Sequence, residues 1–342
     1  PKQAACSYPY DELSGAGVVF KLVQALAASL PPDPGSAGSS PAEISAELES
    51  CLDLVALSIA ADVVPVTGEN RTLMSMGLDR LNHNPRPGIA ALMKEAKIEP
   101  GSLRSGDIAF SLAPRLNATG RMGDATLSLD LLRAVDRTDV SGLVRQIETI
   151  NQNRRDMDAK VLAKAVERIE STDAGRRRNA IVLYEPGWHE GVLGLVASRL
   201  VDRYAKPVVL LTASGTEAMA KGSGRSIEGF DLHEALQACS HLLDRFGGHA
   251  AAAGLTLHVD RVERLAEEID RFAGEWWSRH GKPEPTLHAE ADIPLQRITD
   301  RFWKILGQFE PHGPENPVPV FISRNVTLRK EPMLLKGAHL KL

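Results

Sequence analysis

The fold of this chain is decided by the stretch Ala180-Ile181-Val182-Leu183-Tyr184 and by the two segments that follow it, residues 191–204 and 208–212. The first and third segments are short aliphatic runs, which are typical of buried strands. The segment between them carries apolar residues at helical spacing. Strand, helix and strand in this order predict an α/β unit, so an α/β domain begins near residue 180.

The chain before this unit has the pattern of a helical region. Apolar residues recur at helical spacing between residues 13 and 132, which predicts several short helices. Residues 31–41 interrupt them with proline, glycine and serine, and we interpret this segment as a surface loop. Residues 136–171 combine a polar sequence with a long apolar stripe, which predicts a helical connector between two domains.

The pattern after the α/β unit remains mixed. A glycine-rich loop at 221–226 precedes a helix near 232–243, a strand at 253–259 and an amphipathic helix at 262–277. Beyond a glycine- and proline-rich break at 281–285, residues 317–342 alternate as in a β hairpin. We therefore predict an α/β multidomain protein that ends in the start of a third, β-rich module.

Composition excludes several classes of protein. The 40 basic and 44 acidic residues of this 342-residue chain give a formal net charge of -4, which is not that of a general polycation binding nucleic acid. The three cysteines are widely spaced, which argues against a disulfide framework and a zinc site. The sequence motifs of P-loop NTPases, zinc proteases, serine hydrolases and Rossmann dehydrogenases are absent from it.

The chain shows no sign of membrane insertion or targeting. No apolar run reaches the length of a membrane span, and no basic-then-apolar leader precedes the first helix. We therefore expect a cytoplasmic protein without a membrane partner. Because the chain opens on Pro1 and stops within an alternating segment, we also expect it to be a fragment of a longer protein.

Two glycine-rich segments are candidates for binding an anion. In Gly222-Ser223-Gly224-Arg225, small residues let backbone amides approach a phosphate that Arg225 can bind bidentately. A tight turn with a solvent-facing arginine explains this loop equally well. Gly247-Gly248-His249, followed by four alanines, predicts a turn that a ligand approaches closely. The alternative is a helix C-cap followed by a packing face of alanines.

Asp62 is a carboxylate within an otherwise apolar run, residues 54–65. Desolvation of such a carboxylate is costly unless it has a partner, and a metal ion would be a suitable one. Helix capping, or pairing with Arg71, is the simpler alternative. Hard cations prefer several oxygen ligands, so Asp62 alone does not form a metal site.

Two arginines and one histidine are further candidates. Arg115 and Arg121 belong to residues 113–122, which we predict to form a turn facing phosphates; the alternative is two surface arginines beside a turn. His189 precedes the helix that begins near Val192, where it would either contact an anion or cap the helix.

A series of motifs in fixed order carries a family resemblance. They are Pro1-Lys2-Gln3, Tyr8-Pro9, Gly15-Ala16-Gly17-Val18, Ala61-Asp62-Val63-Val64-Pro65, Gly68-Glu69-Asn70-Arg71, residues 113–122, Trp188-His189-Glu190-Gly191-Val192, Gly222-Ser223-Gly224-Arg225-Ser226 and Phe246-Gly247-Gly248-His249. Together they resemble the RecJ single-stranded-DNA exonucleases of the DHH phosphoesterase superfamily. The match runs along almost the whole chain, which makes it far more specific than any one motif.

The resemblance implies a domain order and a set of roles. It implies the C-terminal part of a DHH domain at 1–135, a connector helix at 136–175, a DHHA1 domain at 176–280 and a partial OB-like β-barrel at 281–342. Ser223 and Arg225 match positions that hold a 5′-terminal phosphate, Arg121 or Arg115 would lie by the scissile phosphate, and His249 near the bound strand. Two Mn²⁺ or Mg²⁺ ions would activate water, with Asp62 matching the family's last metal-binding aspartate.

The implied function is metal-dependent 5′-to-3′ digestion of single-stranded DNA in recombination and repair. A single-strand-binding protein and a recombination helicase are the protein partners that the resemblance implies. The family places its Asp-x-Asp and Asp-His-His motifs upstream of the segment that matches Pro1. We expect both motifs to be missing from this chain, which would then bind weakly and not cleave.

Two other functions are open at this point. A phosphodiesterase of the same superfamily that acts on oligonucleotides or cyclic dinucleotides would have a similar glycine-histidine turn; the long connector and the third domain argue against it. A non-catalytic DNA-binding scaffold of the Cdc45 kind would keep the fold and lose the metal ligands.

Overall fold

A computed structural model of the chain describes residues 2–3, 5–29, 41–135, 137–172, 175, 177–281, 286–328, 330–335 and 339–341. Most of the predicted surface loop and residues 282–285 of the predicted break lie outside these ranges. The chain divides into two compact units, Pro1–Ala113 with Thr286–Leu342 and Pro114–Pro285. The bounds of the four segments that the family resemblance implies stay predictions. Within the described ranges, no helix is long and apolar enough to cross a membrane.

The first unit begins with the helices that the sequence predicts. They are α1 (Gly15–Ser29), α2 (Pro41–Ser50), α3 (Leu52–Ala61), α4 (Gly68–His83), α5 (Pro87–Glu95) and α6 (Ser105–Asp107), which continues into a π-helical turn, Ile108–Leu112. Helices α3 and α4 pack together, and Ala56, Ile59, Met74 and Leu81 on them are completely buried. Apolar residues at helical spacing thus form the core of this unit.

The predicted turn at residues 113–122 is wrong, because these residues form helix α7 (Ala113–Met122). Pro114 stands in the first turn of α7, where a missing backbone N–H is tolerated. The hydroxyl of Thr119 donates to the Leu116 carbonyl at 3.0 Å, so this polar side chain is satisfied within the helix. Helix α8 (Thr126–Arg133) follows, and then α9 (Arg137–Glu170), whose 34 residues confirm the predicted connector helix.

The second unit contains the predicted strand, helix and strand. Its elements are β1 (Ile181–Tyr184), α10 (Glu190–Tyr204), β2 (Val208–Ser214), β3 (Thr216–Arg225), α11 (Leu232–Ala238), β4 (Arg245–His249), β5 (Ala252–His258) and α12 (Val262–His280). The strands form one sheet in the order β1-β2-β3-β5-β4. Strands β1 and β2 run parallel and the other neighbours run antiparallel, which confirms an α/β domain with a mixed sheet.

Both faces of this sheet are covered at its β1–β2 side. Val208 and Leu210 of β2 are buried with residues of α9 and α10, whereas Val209 and Leu211 are buried with residues of α11 and α12. Successive side chains of a strand point to opposite faces, and this is why the buried part of β2 is almost continuously apolar.

Two loop predictions in this unit are wrong. Residues 221–225 belong to strand β3, not to a loop, and residues 247–249 belong to strand β4, not to a turn after a helix. Glycine and polar residues are depleted in strands, so propensity favoured loops here. The antiparallel pairing of β3 and β4 with β5 overrides that propensity.

The chain ends in short elements of the first unit. They are β6 (Ala291–Asp292), α13 (Asp300–Leu306), β7 (Phe321–Ile322), β8 (Met333–Leu335) and β9 (His339–Lys341). Strand β6 pairs with β7 and β8 pairs with β9, which confirms the start of a β-rich module. The predicted alternation over 317–328 is wrong in extent, because only Phe321 and Ile322 are in a strand there. The described part of this module contains no closed barrel.

Candidate functional site

Three cross-strand rows form one open face of the sheet in the second unit, here called the site face. In each row the residues lie directly opposite one another on β3, β5 and β4: Lys221, Thr256 and Arg245; Ser223, Gly254 and Gly247; Arg225, Ala252 and His249. Opposed residues of neighbouring strands point to the same side of a sheet. The sheet therefore brings together four residues that the sequence nominated, Ser223, Arg225, Gly247 and His249.

The site face is the same side of the sheet that α10 covers near β2. Ser223 pairs with Leu210, whose side chain is buried with residues of α10. Farther along the sheet, Gly254, Gly247 and His249 are exposed. The site face thus extends from the edge of α10 across β5 and β4, where its residues are exposed. Ser223 and Arg225 lie at the end of this face nearest to α10.

Two glycines of the site face are not required by packing. A Cβ built on Gly254 would meet nothing closer than 3.9 Å, and a Cβ on Gly247 would meet nothing within 4 Å. Gly248 differs, because its φ is +144° and its Cβ would lie 2.3 Å from the Ala252 carbonyl oxygen. Gly248 is therefore structural, whereas Gly247 and Gly254 leave free volume above the sheet for another molecule.

Arg225 and Ser223 form a compact pair beneath helix α10. Nη1 of Arg225 donates to the Ser223 hydroxyl at 3.1 Å and to the Gly224 carbonyl at 2.7 Å. A Cβ on Gly194 of α10 would come within 2.7 Å of Nη2 of Arg225 and 3.1 Å of the Ser223 hydroxyl oxygen, so both side chains lie directly against this glycine. Burial lowers the pKa of Arg225, and the charge of Arg121 lowers it further. An anion bound here would offset both effects.

The start of α10 lies beside the same residues. His189 is its N-cap, and Nδ1 of His189 accepts the Gly191 N–H at 3.1 Å, which favours the capping interpretation of this histidine. A Cβ on Gly191 would lie 2.1 Å from the carbonyl oxygen of Arg121, so the Arg121 backbone packs on the helix start. Glu190 pairs with Lys221 of the site face at 2.6 Å.

Arg115 occupies a different position from Arg121. Its Nε lies 2.7 Å from a carboxylate oxygen of Glu148 on α9, and only 12% of the side chain is exposed. The interpretation of Arg115 as a surface residue beside a turn is therefore wrong. Arg121 is exposed and is the arginine of α7 whose charge acts on Arg225.

Asp62 lies in the first unit and is not desolvated. The residue is the C-cap of α3, and its carboxylate accepts a hydrogen bond from the Ser58 hydroxyl at 3.1 Å in an exposed position. The predicted desolvation cost is therefore wrong. Pairing with Arg71 is also wrong, because the Arg71 guanidinium donates to the Phe309 carbonyl at 2.9 Å and to the Glu310 carbonyl at 3.4 Å.

A metal centre is not formed by the residues that the structure describes. Among them, no three histidine, cysteine, aspartate or glutamate side chains are grouped so that they could hold a metal ion. Divalent Mn²⁺ and Mg²⁺ require several oxygen ligands, which Asp62 does not supply alone. The described residues therefore do not fit a two-metal centre, and no step of a metal-dependent reaction follows from them.

One Asp-x-Asp triplet does occur, at Asp156-Met157-Asp158, so the expectation that this spacing is missing is wrong. The triplet lies within α9, where residues two apart do not face each other. Asp156 is exposed and accepts from the Gln152 amide at 2.8 Å, whereas Asp158 is buried beside two arginines. The triplet is therefore not a pair of converging metal ligands.

Sequence reasoning missed part of the site face. Lys221, Arg245 and Gly254 were not selected, although Arg245 precedes Gly247 by two residues and Lys221 precedes Ser223 by two. Because a strand repeats every two residues, recognition of 221–225 and 245–249 as strands would have placed all of them on one face.

Two domain families match the chain. The DHHA1 domain matches residues 177–275, which include the whole site face, and the RecJ OB domain matches residues 289–342. The single-stranded-DNA-specific exonuclease RecJ of Bacillus subtilis (strain 168) is 36% identical over 96% of this chain and 39% of the relative. The protein of the same name from Dickeya dadantii (strain 3937) is 34% identical over 100% of this chain and 59% of the relative.

Solved structures agree with these matches. RecJ from Thermus thermophilus in complex with Mn²⁺ aligns with a TM-score of 0.77 and 30% identity, over 92% of this chain and 44% of that chain. An exonuclease RecJ bound to manganese aligns with a TM-score of 0.61 and 31% identity, over 79% of this chain and 63% of that chain. The chain thus spans less than two thirds of the length of the relatives it matches.

Proposed function

We propose, from the premise that this chain belongs to the RecJ family, that Ser223 and Arg225 hold the 5′-terminal phosphate of a single-stranded DNA. The adjoining nucleotides lie over Gly254 and Gly247, with His249, Lys221 and Arg245 around them. The observation that carries this proposal is the site face itself, where cationic side chains surround two glycines that packing does not require.

The chemistry of the site face fits a terminal phosphate. A guanidinium and a hydroxyl 3.1 Å apart can donate to two oxygens of one phosphate group. Beyond them, a shelf without side chains lets the sugar and base approach the sheet backbone. A phosphate monoester carries more charge than an internal diester, so this pair would distinguish the end of a strand from its middle.

We further propose that the whole protein is a metal-dependent exonuclease that degrades single-stranded DNA from 5′ to 3′ in recombination and repair, in the cytoplasm. This rests on the relatives, which are named single-stranded-DNA-specific exonucleases, and on the structures of relatives solved with Mn²⁺ or Mg²⁺. A single-strand-binding protein and a recombination helicase are proposed as partners from the resemblance alone.

A binding experiment tests the grip on the phosphate. Oligothymidylates with a 3′-fluorophore and either a 5′-phosphate or a 5′-hydroxyl are titrated with the chain, and fluorescence anisotropy gives both affinities. We expect tighter binding of the phosphorylated strand. Equal affinities for the two strands would contradict the proposal, and a preference for dinucleotides over long strands would favour a phosphodiesterase instead.

A second experiment tests whether this chain alone can cleave the DNA. The same phosphorylated strand is incubated with the chain and Mn²⁺, and the products are separated on a denaturing gel. Because the described residues form no metal centre, we expect the strand to remain intact. Shortening of the strand at the level of a working exonuclease would show that this expectation is wrong.

A further inference from the structure

One row of the site face carries two cations and one hydroxyl, and it is here called the cationic row. Lys221 of β3, Thr256 of β5 and Arg245 of β4 lie directly opposite one another. Because neighbouring strands are about 5 Å apart, the Cα atoms of Lys221 and Arg245 are separated by about 10 Å, with Thr256 between them. Two long cationic side chains thus stand on either side of a short hydroxyl, and together they can surround one phosphate group.

Both cations of this row are accessible to a ligand. Of the Lys221 side chain, 51% is exposed, and Arg245 is exposed as well. The carboxylate of Asp244, which precedes Arg245 in the chain, pairs with Arg261 at 3.8 Å. Among the described residues, Arg245 itself takes part in no ion pair. A phosphate can therefore reach the cationic row without any rearrangement of the sheet.

The cationic row lies one strand repeat away from Ser223. Side chains on one face of a strand recur every two residues, which is about 7 Å along the strand. This distance is comparable to the separation of neighbouring phosphates in an extended single strand. Beside Ser223, Gly254 and Gly247 leave free volume over the sheet, where a sugar and a base can lie. One nucleotide therefore spans the distance between Ser223 and the cationic row.

Glu190 competes for one of these cations. Its carboxylate lies 2.6 Å from Nζ of Lys221, and 57% of the Glu190 side chain is exposed. Such a solvent-exposed ion pair stabilises a protein little, so a phosphate can replace the carboxylate at Lys221 at small cost. The negative charge of Glu190 nevertheless opposes the approach of a phosphate to this row.

We propose that the cationic row binds the phosphodiester that joins the first and second nucleotides of the single-stranded DNA. Lys221 and Arg245 pair with its oxygens, the Thr256 hydroxyl donates to it, and the Glu190 carboxylate is displaced from Lys221. The bound strand then runs from 5′ to 3′ along β3, from Arg225 toward Lys221. This inference rests on the proposed function and deepens it, because it assigns the direction of the strand on the sheet and a residue that limits affinity.

Two labelled oligothymidylates test this subsite by fluorescence anisotropy. Both carry a 5′-phosphate, and they differ only at the first internucleotide linkage, which is a phosphodiester in one and an uncharged methylphosphonate in the other. We expect the chain to bind the diester strand about fivefold more tightly, the scale of one solvent-exposed ionic contact. A third strand with the methylphosphonate near its 3′ end is the control, and we expect its affinity to match that of the diester strand.

Variants assign the effect to individual side chains. Lys221→Ala and Arg245→Ala should each reduce the preference for the diester, and the double variant should abolish it while still preferring a 5′-phosphate over a 5′-hydroxyl. Glu190→Gln should bind the diester strand about threefold more tightly and the methylphosphonate strand as before. Lys164→Ala is the matched control, because Lys164 on α9 is similarly exposed, at 48%, and pairs with Glu185 at 3.0 Å. Thermal unfolding reports whether each variant is folded.

The results separate this inference from the proposed function. If the unmodified chain does not prefer a 5′-phosphate, the proposed function fails. If that preference is present but the first linkage can be neutralised without loss of affinity, or the double variant still prefers the diester, the cationic row does not bind the phosphodiester. An unchanged affinity of Glu190→Gln for the diester strand would show that Glu190 does not compete for Lys221.

Discussion

Arg225 is the side chain on which recognition of the 5′-phosphate depends most directly. Its guanidinium is half-buried, it hydrogen-bonds Ser223 and the Gly224 carbonyl, and it lies directly against Gly194 of α10. A cation held in this way has lost part of its hydration before the ligand arrives. Binding of an anion therefore recovers more free energy than it would at a mobile surface arginine.

We expect Arg225→Ala to lower the preference for a 5′-phosphate over a 5′-hydroxyl by about 1 to 3 kcal/mol, the value of a lost charge-assisted hydrogen bond. Affinities for both strands, measured by anisotropy, give this difference. Arg264→Ala is the control, because Arg264 is exposed on α12 and pairs only with Glu268 in the described structure. An unchanged preference in Arg225→Ala would exclude its role.

Cys239 provides a test of the core of the second unit. The thiol is buried, with 2% of the residue exposed, and burial raises its pKa to about 11. The folded state therefore favours the protonated thiol, whose unfolded pKa is near 9. Burial of the protonated thiol therefore stabilises the folded state fully below about pH 9. This stabilisation is lost as the pH rises toward 11, and the free energy of unfolding falls by about 2 to 3 kcal/mol over that range.

Urea unfolding between pH 8 and 11 measures this loss. Other groups also titrate in that range, so the free energy of unfolding is compared with that of Cys239→Ala at each pH. We expect the difference between the two proteins to shrink as the pH rises. Parallel pH profiles would mean that the Cys239 thiol is not buried as described.

At the scale of elements, the sequence predicted most of the helices, the central α/β unit and strand β5, but it did not predict helix α7 or strands β3 and β4 of the site face. Aliphatic runs such as 208–212 are typical of buried strands, whereas Gly222-Ser223-Gly224-Arg225 resembles a loop by local propensity. Its strand conformation comes from pairing with β2 and β5, which lie on either side of it. The local sequence of β3 does not indicate which other strands will pair with it. Four of the candidate residues, Ser223, Arg225, Gly247 and His249, share one surface, which becomes visible only from the strand register.

Gly254 and Gly248 should respond oppositely to substitution. Gly254→Val adds a β-branched side chain over an open part of a central strand, so we expect an undiminished free energy of unfolding but at least about tenfold weaker binding of the oligothymidylate. Gly248→Ala should lower stability by about 1 to 3 kcal/mol, because of its positive φ and the nearby Ala252 carbonyl. Urea unfolding and anisotropy test both variants, and full binding by Gly254→Val would contradict the proposed path of the strand.

At the scale of the whole molecule, an acidic protein carries several cationic side chains on the site face. The formal net charge is -4, yet Lys221, Arg225 and Arg245 lie on the site face, where Glu190 pairs with Lys221. Overall charge would repel a nucleic acid. Attraction is therefore short-ranged and confined to the phosphates that reach this region.

The salt dependence of binding should reflect so small a contact. If about four phosphates are neutralised, the logarithm of the affinity falls with the logarithm of salt concentration with a slope of about -3, at roughly 0.7 per phosphate of a single strand. Titrations of the phosphorylated strand between roughly 50 and 300 mM salt measure that slope. A slope near zero would exclude binding through phosphate contacts. A much steeper slope would mean that cationic side chains contact more than about four phosphates.

Gly247 and Gly254, which packing of the sheet does not require, affect how this protein can be engineered for stability. A screen that ranks variants by resistance to heat or protease would favour larger residues at Gly247 and Gly254, because a strand gains from side chains there and nothing in the described fold resists them. Those same variants would fill the volume that we assign to the nucleotide. A screen for stability alone would thus select variants that no longer bind the DNA. A useful screen must also select for binding of a 5′-phosphorylated strand.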